Sequence, residues 1–111
     1  MTVGNPKVID FVALDQHNEV VTLVMVEERN WGERGTLLPD LQAKLNTYLA
    51  YAVGGQLYLD YPEVRGKAVC FQLSYVHSPG PRERQLIDIV RRQHLEPERI
   101  AWRETSLLPA V

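Results

Sequence analysis

The chain is poor in the residues that usually announce a chemistry. Cys70 stands alone among 111 residues, so no intrachain disulfide can form and a cysteine-rich zinc site is excluded. A lone cysteine in an apolar stretch reads as a small buried hydrophobe in a reducing compartment. No apolar run approaches the ~18 residues that a membrane-spanning helix needs. The opening residues show no basic-then-apolar pattern, and with the cysteine usage this makes the cytoplasm the expected location. The formal net charge is only −2, which gives no whole-molecule attraction to nucleic acid or to an anionic membrane. Glycine-rich phosphate loops are also missing. Gly32-Glu33-Arg34-Gly35 is not followed by lysine and serine or threonine, and Gly54-Gly55 stands after a helical pattern, not before one. There is no internal repeat.

The few chemistry-bearing residues are scattered. His17, His77 and His94 fall in a turn, at a strand end and at a helix end, with no i, i+4 pair that could hold zinc. Ser74 and Ser78 lack the glycine-flanked turn of a nucleophilic serine. These absences lead to the expectation of no metal, no cofactor and no catalytic residue.

What is present describes an ordinary domain. Hydrophobic residues make up 45% of the chain and charged residues 23%, and the length suits one domain over residues 1–111, with 1–6 and 105–111 expected to be loose. Charge is slightly uneven: four basic against seven acidic residues up to Gly55, eight against seven after it.

The patterning is more telling. Lys7–Leu14 and Val20–Glu27 are rich in β-branched and aromatic residues and flank a polar turn, which predicts an antiparallel hairpin. Leu38, Leu41, Leu45, Tyr48, Leu49 and Ala52 recur at three- and four-residue steps and predict a helix over Leu37–Val53. Thr36 is its expected N-cap, Pro39 falls in its first turn, and Gly54 or Gly55 supplies a left-handed stop. Gln56–Gly66 reads as extended or turn, with a short strand at Leu57–Leu59. Lys67–His77 alternates as a third strand, with Val69, Phe71, Leu73 and Tyr75 on one face. A second helix over Pro81–Leu95 is expected to turn Leu86, Ile89, Val90 and Gln93 or His94 inward, and Arg99–Glu104 makes a last strand. The fold class is therefore α+β in the order β-β-α-β-α-β: one mixed four-stranded sheet with two helices packed on one face. The first two strands are apolar on both faces, so the second sheet face needs a cover. A homodimer or a protein partner would supply one; the C-terminal tail and the Gln56–Gly66 segment are the alternative.

Candidate binding residues follow from the same reading. Asp10 is a carboxylate inside an apolar strand, where burial could raise its pKa for acid–base work, although pairing is the more usual fate. Asp60 lies between Tyr58 and Tyr61. Those tyrosines, Tyr51 and Trp31 are apolar bodies with polar tips, suited either to a recognition surface or to packing of the helix-to-strand loop. A small-molecule pocket near residues 48–61, of unknown ligand, is the alternative to an interaction module. Arg82, Arg84, Arg91, Arg92, Arg99 and Arg103 crowd the C-terminal half. Interleaved Glu83, Asp88, Glu96, Glu98 and Glu104 cancel them, which favours a solvated salt-bridged face over nucleic-acid binding.

Across residues 7–104 the chain resembles a family of small bacterial proteins known only as a domain of unknown function. The resemblance rests on Val8-Ile9-Asp10-Phe11, Trp31, the Leu41-Gln42-x-Lys44-Leu45-Asn46-x-Tyr48-Leu49 run, Gly55-Gln56-Leu57, Tyr61-Pro62 and Gly66-Lys67. It implies a stand-alone cytoplasmic bacterial protein and draws attention to Asp10, Trp31, Asn46 and Tyr61. It lends no activity, cofactor or catalytic residue.

Overall fold

The computed structural model describes residues 9–15, 17, 19–32 and 37–108. Apolar residues, many of them β-branched, dominate its first two strands, β1 (Phe11–Asp15) and β2 (Val20–Glu27). These pair antiparallel with Phe11 opposite Val24 and Asp15 opposite Val20. From β2 the chain crosses through helix α1 (Leu38–Val53), a short helix α2 (Gln56–Asp60) and a 3₁₀ turn at Pro62–Val64. It then enters β3 (Ala68–Tyr75), parallel to β2. Helix α3 (Pro81–Val90) and a π turn at Arg91–Leu95 carry it to β4 (Ala101–Ser106), parallel to β3. The sheet order is β1-β2-β3-β4, the mixed sheet expected from the sequence.

Both crossovers step in the same direction along the sheet. Right-handed connections of that kind put their helices on one side. The register shows which strand residues meet them: Val21, Leu23 and Met25 of β2 and Val69, Phe71 and Leu73 of β3 join Leu41, Leu45, Tyr48, Ala52, Ile87, Val90 and Leu95 in one buried cluster. Tyr48 meets Phe71 edge to face, with ring centroids 5.8 Å apart.

Several boundaries differ from expectation, each for a local reason. The expected loose start at residues 1–6, Lys7 and Val8 at the head of the expected first strand, and Thr36 lie outside the described residues. Helix α1 begins after Leu37 with no side-chain cap, and Pro39 does sit in its first turn. Leu57–Leu59 is helical, not a strand. Gly55 adopts φ 94°, and its carbonyl accepts from the backbone N–H of Tyr58 and Leu59, which restarts a helix immediately after α1. Leu57 and Val64 are thereby buried in the helix-side core, so this segment does not fold over the second sheet face. In α3 the inward residues are Glu83, Ile87 and Val90, while Ile89 is 45% exposed. The π turn inserts a five-residue step from Val90 to Leu95, so Leu95 points inward in place of Gln93 or His94. Thr105 and Ser106 are paired with β3 and not loose, and the Leu107 N–H donates to the carbonyl of Tyr75 at 2.7 Å.

The left-handed turn at Gly55 makes a test. Gly55→Ala is expected to destabilise the fold by about 1–2 kcal/mol, because an L side chain is strained at that φ although the space around it is open. Urea unfolding at equal m-value reads the loss.

Candidate functional site

The most heavily organised polar group lies where β1 leaves the sheet. Its regular pairing with β2 ends at Phe11 opposite Val24. The next backbone groups of β2 would then be stranded, and a buried unpaired N–H or C=O is costly. Side chains take over. Oη of Tyr48 donates to the carbonyl of Val24 at 2.6 Å and accepts from the N–H of Asp10 at 2.9 Å. Oδ2 of Asp10 accepts from the N–H of Val26 at 3.0 Å, and its Oδ1 accepts from Nζ of Lys44 at 3.0 Å. The side chains of Lys44 and Asp10 are both 0% exposed. Lys44 and Tyr48 stand one helical turn apart on α1, which aims both at the same strand end. Burial pushes the Tyr48 phenol well above its ordinary pKa; the N–H it accepts from Asp10 opposes this and the Asp10 charge adds to it.

Asp10, conspicuous in the sequence as an odd carboxylate in an apolar strand, is thus a side-chain extension of the β-ladder. The lysine that neutralises it is not among the residues the sequence points to for a site. Lys44 falls on the inward stripe of α1, between Leu41 and Leu45, and a lysine on an apolar helical stripe is the available signal for a buried counter-charge.

A second polar cluster holds the C-terminal ends of β2 and β3. The Glu27 side chain is 0% exposed and pairs with Arg29 at 2.6 Å, which also lies 3.7 Å from Asp40 at the start of α1. Trp31 is 2% exposed, and its indole N–H donates to the carbonyl of His77 at 2.7 Å. It ties the loops after the two strands together from within the core. Glu83 is buried in the first turn of α3, where the helix dipole favours a carboxylate, and its Oε2 has no hydrogen-bond partner among the described residues. A Cβ on Gly80 would approach its Oε1 to 3.0 Å, so glycine leaves that carboxylate its room.

The aromatic residues after α1 form a separate group. Oη of Tyr51 donates to Asp60 at 2.7 Å and Nε2 of Gln56 donates to the other oxygen of that carboxylate at 2.8 Å. These bonds, Tyr51 first, hold Asp60 below the ordinary carboxylate pKa, while desolvation and then the Asp60 bond raise that of Tyr51. The group staples α2 against α1. Tyr58 is half-buried with the Arg65 guanidinium 5.9 Å from its ring centre, Tyr61 is exposed, and Asn46 is exposed on α1. Asp10 is not brought to this group; it bonds at the opposite end of the sheet. Among the arginines, Arg84 pairs with Glu104 and Arg92 with Asp88, while Arg103 donates to Gln72 at 2.7 Å. Cys70 is buried, its thiol pushed up by that burial more than Arg103 lowers it. Among the described residues no group of three His, Cys, Asp or Glu could hold a metal ion, and no helix is long and apolar enough to cross a membrane.

These features define a class: a two-layer α+β protein whose long helices and buried ion pairs share one side of a mixed sheet. The family can be stated with them, for residues 1–102 match the profile described as "Family of unknown function (DUF6572)", and the chain belongs to that family. No curated protein and no solved structure matches it.

Two tests address the buried pair. Lys44→Met alone is expected to cost about 3–5 kcal/mol, since it leaves the Asp10 carboxylate buried without its cation, whereas Asp10→Asn with Lys44→Met recovers most of that loss. A double-mutant cycle in urea measures the coupling; additive losses would show that the pair does not hold this junction. The second test uses pH. The phenol of Tyr48 has a folded pKa above its unfolded value, so its contribution is intact below about pH 10 and is lost as the pH rises beyond. Tyr48→Phe should therefore lower stability at neutral pH and flatten the alkaline decline, of which Tyr51 contributes a further part.

Proposed function

We propose that this protein is a non-enzymatic interaction module that self-associates through the sheet face opposite its helices. The observation that carries this reading is the exposed apolar character of the β1–β2 half of that face. The register places Phe11, Ala13 and Asp15 of β1 and Val20, Thr22, Val24 and Val26 of β2 there, with Phe11 directly opposite Val24 and the polar Asp15 and Thr22 toward the turn end. Phe11 is 55% exposed, and the three valines are only half-buried. None of the four belongs to the buried core cluster or to the residues packed against it. The β3–β4 half is polar, with Gln72, Ser74 and Arg103, which gives the apolar patch a hydrogen-bonding rim.

That division matches the anatomy of protein interfaces: an apolar centre with aromatic residues, bordered by polar groups. A second copy of the chain supplies a complementary patch automatically, since a two-fold contact sets the same surface against itself. The resemblance to small bacterial proteins supports a cytoplasmic setting for such a dimer. The charged residues that could support a chemical step are instead committed to structure: Asp10 to Lys44, Asp60 to Tyr51 and Gln56, Glu27 to Arg29.

Light scattering behind a sizing column, from dilute to concentrated protein, tests the reading. A mass that rises to twice the 12.7 kDa chain is expected, with Phe11→Asp shifting it toward monomer while far-ultraviolet circular dichroism is unchanged. A monomer at every concentration would overturn it.

A further inference from the structure

The N-terminal ends of β3 and β4 border a depression that none of the networks above uses. Two adjoining cavities, of about 220 and 390 Å³, share Tyr58, Val69 and Glu98. The smaller is otherwise apolar, lined by Ala52, Val53 and Ile100. The larger adds Lys67 and Arg99. One hollow therefore has an apolar half and a charged half, and Tyr58, Val69 and Glu98 line both.

The charged half carries opposite charges that do not neutralise one another. Among the described residues the side chains of Glu98, Lys67 and Arg99 make no ion pair or hydrogen bond, although all three line the same cavity. Both sides of this half are set by left-handed backbone. Gly66, at φ 86°, precedes Lys67. Arg99 itself has φ 58°, a conformation unfavourable for a residue with a side chain. It is held there by the Arg99 N–H to the Glu96 carbonyl at 3.0 Å and the Ile100 N–H to the Leu95 carbonyl at 2.9 Å. These two bonds are the pattern that closes a helical segment on a left-handed residue, and they fix the backbone of Arg99 where it lines the cavity.

We infer that this hollow binds a free aliphatic α-amino acid: its carboxylate at Lys67 and Arg99, its ammonium at Glu98, and its side chain among Ala52, Val53, Val69 and Ile100. The zwitterion supplies both charges that the cavity leaves unpaired. The volumes lie around the small end of ligand pockets, which span ~300–1,000 Å³, and suit a molecule far smaller than a nucleotide. The inference is independent of the sheet-face reading, and its failure would leave that reading intact.

L-Leucine is the probe, titrated into ¹⁵N-labelled full-length protein. Saturable amide shifts at Tyr58, Val69 and Ile100, half-complete at about 1 mM or below, are expected. Leucinamide, without the carboxylate, and N-acetyl-leucine, without the ammonium, should each bind at least about tenfold more weakly, the scale of one charge-assisted hydrogen bond. Glu98→Gln and Lys67→Gln are surface changes that remove no bond within the described residues, and each should weaken leucine by a similar factor. No shift at about 10 mM leucine, binding by both variants as tight as by the unaltered protein, or tighter binding of N-acetyl-leucine than of leucine would overturn the proposal; the last would assign the hollow to the C-terminus of a peptide.

Discussion

The buried pair of Asp10 and Lys44, with Tyr48 beside it, is the constraint on which the arrangement of the two layers depends. Two charges without solvent access are tolerable only when they meet each other and when their remaining hydrogen-bonding capacity is used. Here the second carboxylate oxygen takes the N–H of Val26, and the Tyr48 hydroxyl closes the gap between Val24 and Asp10. An apolar helix face could slide or rotate on a sheet at modest cost. A lysine and a tyrosine that must reach named groups of two adjoining strands cannot, so α1 is held in a single register against β2. The same bonds allow β1 to stop at Phe11 without stranding the ladder of its neighbour.

That both long helices lie on one side of the sheet follows from topology. With the strands in the order β1-β2-β3-β4, both parallel crossovers advance in one direction, and right-handedness sends both helices to the same side. Sequence composition then divides the open face. β3 presents Cys70, Gln72 and Ser74 to it, small or polar residues, whereas β1 and β2 present Phe11, Val20, Val24 and Val26 along with Ala13, Asp15 and Thr22. A face meant only for solvent would carry no cluster of large apolar residues; on the hairpin this one carries Phe11 and three valines. The apolar half is therefore confined to two strands, the right form for a localised contact.

Element order, sheet type and the single-sided helices are all legible in the sequence, because period-two and period-3.6 patterns report burial directly. Three things are not. The restart of a helix after Gly55 depends on the conformation of one glycine, and Gln-Leu-Tyr-Leu-Asp alternates well enough to pass for a strand. The inward turn of Leu95 depends on a π insertion that shifts the helical phase by one residue, which a 3.6-residue count misses. The partner of Asp10 is hidden because lysine is normally assigned to the solvated face. Lys44 has to be judged by its position between Leu41 and Leu45, not by its charge. Of the residues that the sequence offers for binding, the structure gathers Tyr51 with Asp60 and sets Tyr58 at the edge of the hollow, but it puts Asp10 and Trp31 into the frame.

The distribution of satisfied and unsatisfied charge separates frame from function more sharply than residue type does. Asp10, Lys44, Glu27 and Trp31 are buried, and each has found its partner inside the chain, so altering them tests stability. Lys67, Glu98 and Arg99 are bordered by strained or glycine backbone, share a cavity, and stay unpaired among the described residues. Opposite charges close enough to share a hollow would ordinarily relax toward one another across a surface, because the long side chains of lysine and arginine reach far. Lys67 follows the left-handed Gly66, Arg99 is itself left-handed at a helix end, and Tyr58, with Arg65 against its ring, lines the same cavity. These charges stay unpaired among the described residues in a fold that pairs Asp10 with Lys44 and Glu27 with Arg29 wherever burial demands it. That contrast makes the hollow the place where an incoming zwitterion gains more than water does.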